Sequence, residues 1–238
     1  MTFKEKLVLQ GRKYGISFNE IQLDQFETFY LFLMEKNKVM KLTAITDEDE
    51  FILKHLIDSL LVHDMIEAGS VTSCIDVGTG AGFPGIPLKI MYPDIKFILL
   101  DSLNKRIKFI NEYIDLVKLI KIKAIHGRAE DLAREKNYRA SFDLCVSRAV
   151  ADLRVLSEYC IPFLKKGGYF LPYKSKKGEE ELIASQNCLK ILGCKLEESH
   201  EYHFDEGKGD RLIFKIKKCL DTPNKYPRKA GVPAKIPL

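Results

Sequence analysis

The sequence lacks long hydrophobic runs, paired cysteines and internal repeats, and each absence excludes a class of protein. No stretch of the 238 residues approaches the roughly 20 consecutive apolar residues that a membrane-spanning helix needs. Residues 1–13 have few apolar side chains and no small-residue cleavage site, so they do not resemble a secretion signal. We therefore expect a cytoplasmic protein that forms one large domain, with at most an appended subdomain.

The cysteines and histidines do not form a metal-binding pattern. The chain has six cysteines, none of them in a Cys-x-x-Cys pair, and no cysteine or histidine cluster has the spacing of a zinc site. Cys74 and Cys145 lie in apolar runs, where a free cysteine behaves as a small hydrophobic side chain. We expect six reduced thiols and no metal.

Positive charge is concentrated at the C-terminal end. The formal net charge is +5, and residues 211–238 contain eight basic side chains and one acid. Such a cluster attracts polyanions such as nucleic acid, although a solvated, flexible tail has the same composition. Four of the nine prolines lie in the last 16 residues, so this tail is predicted to be irregular. The candidates for RNA phosphate contacts are Lys208, Arg228, Lys229 and Lys235.

The spacing of apolar residues divides the chain into three parts. Residues 1–70 show helical periodicity, with one helix predicted around 21–34 and another over 47–66. Residues 71–220 alternate short apolar runs with amphipathic stretches, which is typical of parallel strands joined by helical crossovers. Residues 221–238 form the basic, proline-containing tail. Strands are predicted over 73–77, 95–100, 122–126, 142–147 and 169–173, helices over 87–91, 104–119, 130–136, 152–164 and 179–192, and an antiparallel edge over 195–202 and 211–217.

A glycine-rich loop follows the first predicted strand. Glycines occupy positions 78, 80, 82 and 85, within the sequence Cys-Ile-Asp-Val-Gly-Thr-Gly-Ala-Gly-Phe-Pro-Gly over 74–85. Glycine lets a chain turn tightly and lets its backbone approach a ligand closely. In an open α/β sheet, ligands bind beyond the carboxyl ends of the strands, near the point where the strand order reverses. The sequence therefore predicts a ligand site at this loop.

One candidate ligand is NAD. Residues 80–85 match Gly-x-Gly-x-x-Gly, and Asp101 follows 21 residues after Gly80, where an acid would hold a ribose. The register is poor, however, because the first glycine after the strand is Gly78 and the sixth position from it is Phe83. Pro84 also removes a backbone donor where a helix should face a pyrophosphate.

The other candidate ligand is S-adenosylmethionine, which has no phosphate and carries a cationic amino acid end. Asp76 precedes the first glycine and suits that cationic end. Asp101 ends the second predicted strand and can accept hydrogen bonds from both ribose hydroxyls. Either acid could instead cap a helix, because short acids favour strand-to-helix turns.

Six motifs together resemble the bacterial small-subunit (16S) rRNA guanine-N7 methyltransferases, once named glucose-inhibited division protein B. They span most of the chain and follow the family's order, with Lys41 standing where many members carry asparagine. The motifs are Lys-Leu-Thr-Ala-Ile at 41–45, His-Leu-Ile-Asp-Ser-Leu at 55–60, Asp-Val-Gly-Thr-Gly-Ala-Gly-Phe-Pro-Gly-Ile-Pro-Leu at 76–88, His-Gly-Arg-Ala-Glu-Asp at 126–131, Ser-Arg-Ala-Val-Ala at 147–151 and the C-terminal Arg-Lys-Ala-Gly-Val-Pro-Ala-Lys-Ile-Pro-Leu at 228–238.

The resemblance implies a fold and a reaction. The fold would be the doubly wound, mostly parallel seven-stranded α/β sheet of class I methyltransferases, with extra N-terminal helices. The enzyme would methylate N7 of a specific guanine, with 16S rRNA or the small ribosomal subunit as its partner. We expect a monomer, although the sequence leaves the oligomeric state open. Guanine N7 carries its own lone pair, so no general base is needed and no catalytic residue is assigned; alignment of the reactants supplies the rate.

The resemblance also implies site residues beyond the two acids and Gly80. Gly78 and Phe83 would line the cofactor pocket, Ala129 and Glu130 would meet the adenine, and Arg148 would close the pocket near the transfer point. Arg148 suits a carboxylate or phosphate, with a salt bridge to Asp152 as the alternative. Either Phe83 or Tyr173 could stack on the target base. A further cluster could be functional or merely an internal polar group: His55, Asp58 and Ser59, within one helical turn.

Three other functions stay open on the residues alone. An NAD-dependent oxidoreductase would need a proton donor, and His126 is the only histidine at a predicted strand end. A non-enzymatic RNA-binding module would use the glycine loop only as scaffold, which leaves the acids at 76 and 101 without a purpose. A methyltransferase acting on a small molecule or a protein would use the same cofactor logic but not the basic tail.

Overall fold

A seven-stranded sheet organises the fold. The computed structural model describes residues 1–67, 69–148, 151–204 and 209–238. The strand order is β3-β2-β1-β4-β5-β7-β6, and β7 is antiparallel to both its neighbours while the other pairs are parallel. The order reverses between β1 and β4. The strands are β1 (Ser73–Val77), β2 (Lys96–Asp101), β3 (Ile122–His126), β4 (Phe142–Arg148), β5 (Leu164–Lys174), β6 (Cys194–His203) and β7 (Asp210–Lys218).

Helices cover both faces of the sheet, which confirms the predicted doubly wound α/β class and its antiparallel edge. Across the described ranges, no helix is both long and apolar enough to cross a membrane. The α-helices are α1 (Phe3–Lys13), α2 (Glu20–Met40), α3 (Glu48–Phe51), α4 (Asp58–Leu60), α5 (Gly85–Met91), α6 (Asn104–Leu116), α7 (Ala129–Leu132), α8 (Leu153–Cys160), α9 (Gly178–Ile191) and α10 (Val232–Lys235), with a π-helix at Ile52–Ile57 and 3₁₀ turns at His63–Met65 and Ile161–Phe163.

The sheet separates two hydrophobic cores. Successive side chains of a strand point to opposite faces, so Cys74 packs with the N-terminal helices while Ile75 packs with α8 and α9. The N-terminal helices begin at well-formed capping boxes, Thr2 with Glu5 and Asn19 with Gln22. Capping satisfies backbone amides that would otherwise lack partners. The helical N-terminal segment thus forms a stable layer on one face of the sheet.

The helix predicted over 47–66 is broken, although it begins where predicted, with Asp47 as its N-cap. Asp47 accepts a hydrogen bond from the Glu50 amide at 2.9 Å, and α3 then passes into the π-helix and into α4. Most of the apolar side chains of this segment are buried, and a 3.6-residue period shows which face is buried without showing where the helix changes its hydrogen-bond pattern. A π-helix widens the turn, and such turns occur often at functional sites.

Two further predictions about boundaries were wrong. The fifth strand was predicted over 169–173, but β5 starts at Leu164. A Cβ at position 168 would lie 2.8 Å from the Asp143 carbonyl oxygen. Because glycine has no Cβ, Gly168 can lie within the strand and let the neighbouring backbone approach closely. The tail is not wholly irregular, because Val232–Lys235 forms α10 with Pro233 in its first turn, where proline is tolerated.

Candidate functional site

The glycine-rich loop is held by the two acids that end β1 and β2. The Gly85 amide donates to Asp76 Oδ2 at 2.9 Å, and the Gly80 amide donates to Asp101 Oδ2 at 2.9 Å. Gly78, Gly80 and Gly82 all have positive φ, a region that other residues enter only at a cost. The glycines and the acids therefore set the shape of the loop together.

Asp76 is a buried carboxyl group with one oxygen available. It is fully buried, and its Oδ1 has no hydrogen-bond partner among the described residues. Burial raises the pKa of Asp76 to about 7, although the Thr79 hydroxyl, the Gly85 amide and Arg148 oppose the rise. A buried acceptor without a partner is costly. The site therefore fits a ligand that brings a cationic donor to this oxygen.

A first cavity of about 190 Å³ lies beyond the carboxyl ends of β1, β2 and β3. Among its lining groups are Gly78, Asp101, Ala129 and Glu130, four of the residues predicted to bind the cofactor. Asp101 Oδ1 has one partner, the Leu103 amide at 2.8 Å, and a carboxylate oxygen can accept more than one hydrogen bond. The remaining lining residues are Val77, Leu100, Ser102, Gly127, Arg128 and Tyr159.

The backbone donors beside this first cavity disfavour a dinucleotide. Two carboxylates, Asp101 and Glu130, and one cation, Arg128, line it, and Arg106 Nη1 pairs with Asp101 Oδ2 at 3.2 Å, so the charges at its wall are nearly balanced. The first amide of α5 is occupied, because Gly85 donates to Asp76. A pyrophosphate needs free amides at a helix N-terminus. The geometry therefore fits S-adenosylmethionine, which has no phosphate.

Phe83 does not line the first cavity. It is buried in an aromatic cluster, with ring centroids 5.3 Å from Phe29, 6.0 Å from Phe51 and 4.4 Å from the stacked ring of His55. The prediction that Phe83 lines the pocket is therefore not supported by its position. The covering rings come from α2 and from the π-helix region, which are distant in sequence. Phe83 instead anchors the glycine loop to the N-terminal layer.

Arg148 is held by a buried carboxylate, but not by the one predicted. Its Nη1 donates to Asp58 Oδ2 at 2.7 Å, and Arg211 Nε donates to the other oxygen, Asp58 Oδ1, at 2.6 Å. The alternative partner, Asp152, is bonded instead to Arg154 at 3.0 Å. Asp58 is fully buried, so two guanidinium groups compensate one carboxylate. Arg148 is thereby fixed at the carboxyl end of β4.

His55 completes this cluster as a neutral ring. Its Nδ1 lies 3.2 Å from Arg148 Nη2 and accepts from it, while Nε2 lies 2.8 Å from the Thr43 hydroxyl. Burial, followed by the charges of Arg148 and Arg211, lowers the pKa of His55 to about 3. Ser59 does not join, because its hydroxyl donates to the His55 carbonyl at 2.5 Å. His55 and Asp58 form an internally bonded group with Arg148.

A second cavity of about 360 Å³ opens beside this cluster. Four cations line it against two carboxylates, which gives it a net positive charge. Tyr173 lines it too, but that ring is buried and its hydroxyl donates to the Ser59 carbonyl at 2.6 Å. The charged lining groups are Lys54, Arg148, Lys174, Arg211, Asp58 and Glu181; Ile45, His55 and Ser175 complete the wall with the tyrosine.

Comparison with known proteins identifies the family. The family model GidB, described as rRNA small subunit methyltransferase G, matches residues 22–209. This chain belongs to that family. The protein named ribosomal RNA small subunit methyltransferase G of Lachnoclostridium phytofermentans is 49% identical over 231 residues, covering 97% of this chain and 96% of that protein. Its namesake from Staphylococcus aureus is 46% identical over 234 residues, covering 98% of each chain.

Solved structures confirm the fold of this GidB family member. YcgJ of Bacillus subtilis matches with a TM-score of 0.53 and 13% identity, covering 70% of this chain and 100% of YcgJ. A SAM-dependent methyltransferase from Aquifex aeolicus also matches with a TM-score of 0.53, at 16% identity, covering 70% of this chain and 93% of that one. At such low identity the likeness concerns the class I fold alone.

The basic tail of this GidB family member contacts the wall of the first cavity, because the Gly231 amide donates to Glu130 Oε1 at 3.0 Å. Arg228 is engaged by the fully buried Glu158 through its backbone amide and guanidinium, at distances from 2.6 to 3.1 Å. This position differs from the expected free phosphate contact. Lys229 and Lys235 are exposed, as the prediction requires, and Lys208 lies outside the described residues.

Several charged residues that line the second cavity were not predicted from the sequence. Lys54, Lys174 and Arg211 line it, yet none stands in a motif that implies a role. A weak signal existed for Arg211, which is the first basic residue of the C-terminal charge cluster. The pairs Asp58–Arg148 and Asp58–Arg211 join residues 90 and 153 positions apart. Only the folded chain brings them together.

Proposed function

We propose that this protein transfers a methyl group from S-adenosylmethionine to N7 of a specific guanine in 16S ribosomal RNA, acting in the cytoplasm on the small ribosomal subunit. The observation that carries the proposal is a pair of differently lined cavities at one edge of the sheet of a GidB family member, the first with the carboxylates Asp101 and Glu130 at its wall and the second with four cations at its wall. The first cavity follows β1, β2 and β3, and the second follows β4 and β5. They flank the point where the strand order reverses, the usual ligand site of such sheets.

The first cavity suits each part of the cofactor. Asp101 lies where it can accept from ribose hydroxyls, and Ala129 leaves room for a flat adenine ring. Asp76 does not line this cavity, but it directly precedes the lining residue Val77, and its free Oδ1 suits the cationic amino acid end. When bound there, the cofactor supplies a methyl group on a sulfonium, which is a good leaving group. Gly78, Gly80 and Glu130 belong to the proposed cofactor site, and Phe83 supports it indirectly by anchoring the glycine loop to the N-terminal helices.

The second cavity suits an RNA nucleotide. Lys54 and Arg211 are partly exposed at its wall, and cations of this kind contact phosphates and set affinity without choosing the sequence. The base to be methylated must leave its stack, because an enzyme cannot align a buried ring atom with its cofactor. Lys229 and Lys235 would add phosphate contacts at the other side of the edge.

The residues at the edge position the reactants and do not move a proton. Guanine N7 attacks with its own lone pair, so no base is required, and the neutral His55 uses its lone pair to accept from Arg148. Asp58 fixes Arg148 beside the transfer point. Alignment of this kind can supply roughly 7–11 kcal/mol of the barrier. Positive charge passes from the sulfur to the guanine, and Glu130 can help to retain it.

A binding experiment tests the choice of cofactor. Titration calorimetry with S-adenosylhomocysteine and with NADH should show binding of the first only. Asp101→Asn should weaken that binding, because the amide group brings a donor where two acceptors are needed, whereas the exposed control Asp94→Asn should not. Binding of NADH in place of S-adenosylhomocysteine would overturn the cofactor assignment.

A transfer experiment tests the substrate. Tritium-labelled S-adenosylmethionine is supplied with small subunits, large subunits and extracted 16S RNA from cells that lack this protein. We expect label in the 16S RNA, and none with the Asp101→Asn variant. Label confined to large-subunit RNA or to protein would refute the proposed substrate.

A further inference from the structure

The segment 222–231, which we call the C-terminal strap, is bonded along its length to residues near the first cavity and, at its end, to the cavity wall itself. Its first anchor is Arg139, which donates to the carbonyls of Tyr226 at 2.8 Å and of Thr222 at 2.9 Å. Arg134 donates to the Pro227 carbonyl. Both arginines follow α7, the helix that starts at the cavity wall. The strap therefore follows the protein surface by fixed contacts and does not behave as a solvated tail.

The second anchor is the ion pair of Arg228 with Glu158. Four hydrogen bonds join them, two of them at 2.6 Å, and the carboxylate is fully buried in α8. A bidentate pair of this kind fixes orientation as well as distance. The residue after Glu158 is Tyr159, whose side chain lines the first cavity. The anchor is therefore one residue from the cavity wall.

The third anchor reaches the wall itself. The Gly231 amide donates to Glu130 Oε1 at 3.0 Å, and Glu130 lines the first cavity. The same carboxylate raises the pKa of Tyr159, after the larger effect of burial, so the two wall residues are close neighbours. If the strap left the surface, the buried Glu130 carboxylate would lose its only backbone donor among the described residues.

We propose that the C-terminal strap is a positioning element of the cofactor site: its docking fixes Glu130 and Tyr159, and cofactor binding in turn stabilises the docked strap. The inference rests on the proposed function, because it takes the first cavity to be the cofactor site. Coupling of this kind is reciprocal by thermodynamic necessity. The basic composition of the tail then serves attachment at Arg228 and leaves Lys229 and Lys235 for solvent or RNA.

The first experiment measures affinity for S-adenosylhomocysteine by calorimetry. Arg228→Gln should weaken binding by about fivefold or more, the lower range of typical coupling between sites. The matched control is Lys225→Gln, which removes one positive charge from the same segment at an exposed position and should bind as the wild type does. In steady state, Arg228→Gln should raise the KM for the cofactor and leave kcat at saturation nearly unchanged.

A second variant separates positioning from simple loss of the fold. Arg228→Gln leaves Glu158 buried without its partner, which is strongly destabilising. In the double variant Glu158→Met/Arg228→Met no buried charge remains, so the thermal midpoint should return towards the wild-type value while the affinity stays low. Full recovery of affinity in the double variant would overturn the proposal, because it would show that only stability had been lost.

The reciprocal effect is measured by limited trypsin digestion of the wild-type protein. Release of the peptide after Lys229, followed by mass spectrometry, should slow when S-adenosylhomocysteine is saturating, and Arg228→Gln should speed it in both conditions. A cleavage rate that ignores the ligand would refute the coupling. If the wild-type protein binds no S-adenosylhomocysteine, the cofactor assignment fails; if it binds and Arg228→Gln binds equally well, the strap proposal alone fails.

Discussion

Asp76→Asn should change the way in which stability depends on pH. The pKa of Asp76 is raised from 3.8 to about 7, chiefly by burial. Below about pH 4 the carboxyl is protonated in both the folded and the unfolded chain, so the raised pKa has no effect. Between about pH 4 and about pH 7 the unfolded chain releases the proton and the folded chain keeps it, so stability falls by about 1.4 kcal/mol per pH unit.

The loss between about pH 5.5 and about pH 8 is on the order of 2 kcal/mol in the wild type. An asparagine cannot ionise, and its carbonyl can still accept from the Gly85 amide, so the variant lacks this contribution. The free energy of unfolding of Asp76→Asn relative to wild type should therefore rise by about 2 kcal/mol over that range. Guanidinium denaturation at the two pH values measures it.

The control is Asp94→Asn, which makes the same chemical change at a position 98% exposed at its side chain. Its stability difference from wild type should not change over this range. If the difference between Asp76→Asn and wild type is equally flat, the reasoning about the buried carboxyl is refuted. The same ionisation should make the wild type bind S-adenosylmethionine more tightly as pH rises through about 7, because a cation pairs with the charged form.

Three further predictions follow from local geometry. Lys41→Asn should stabilise the protein by about 0.5 kcal/mol, because Lys41 is left-handed at φ 51 and asparagine tolerates this region better; thermal denaturation should show no such gain for the control Lys38→Asn, inside α2. Gly85→Ala should destabilise by about 1–3 kcal/mol, since its Cβ would lie 2.2 Å from a Leu99 methyl carbon; an unchanged denaturation midpoint would contradict this. His55 should stay neutral in NMR titrations down to about pH 5, because its pKa is about 3; a midpoint near 6.5 would refute this.

The parts of the fold that are local in sequence were predicted well. The strands β1 and β3 have the predicted bounds, β2 is shifted by one residue at both ends, and β4 is one residue longer at its C-terminal end. Their apolar runs end at glycine or polar residues, which mark the boundaries clearly. Asp101 was placed at the ligand edge because it ends a predicted strand, and Ala129 was placed there by resemblance to the family; both line the first cavity.

The parts that depend on distant contacts were not predicted. The π-helix and the Asp58–Arg148–Arg211 cluster require three separate elements to meet, and no local pattern encodes that meeting. Phe83 looked like a pocket residue because it lies in the loop, yet rings from other elements cover it. Arg228 looked like a phosphate contact because its neighbours are basic, while its buried partner Glu158 lies 70 residues away.

The most direct test of the proposed function is nucleoside analysis of the RNA after reaction. Small subunits from cells lacking this protein are incubated with the purified protein and labelled S-adenosylmethionine, and the 16S RNA is digested to nucleosides and separated by chromatography with mass detection. The account predicts that the label elutes as N7-methylguanosine and that Asp101→Asn abolishes it. Label in any other nucleoside, or none in 16S RNA from a protein that binds the cofactor, would contradict the account.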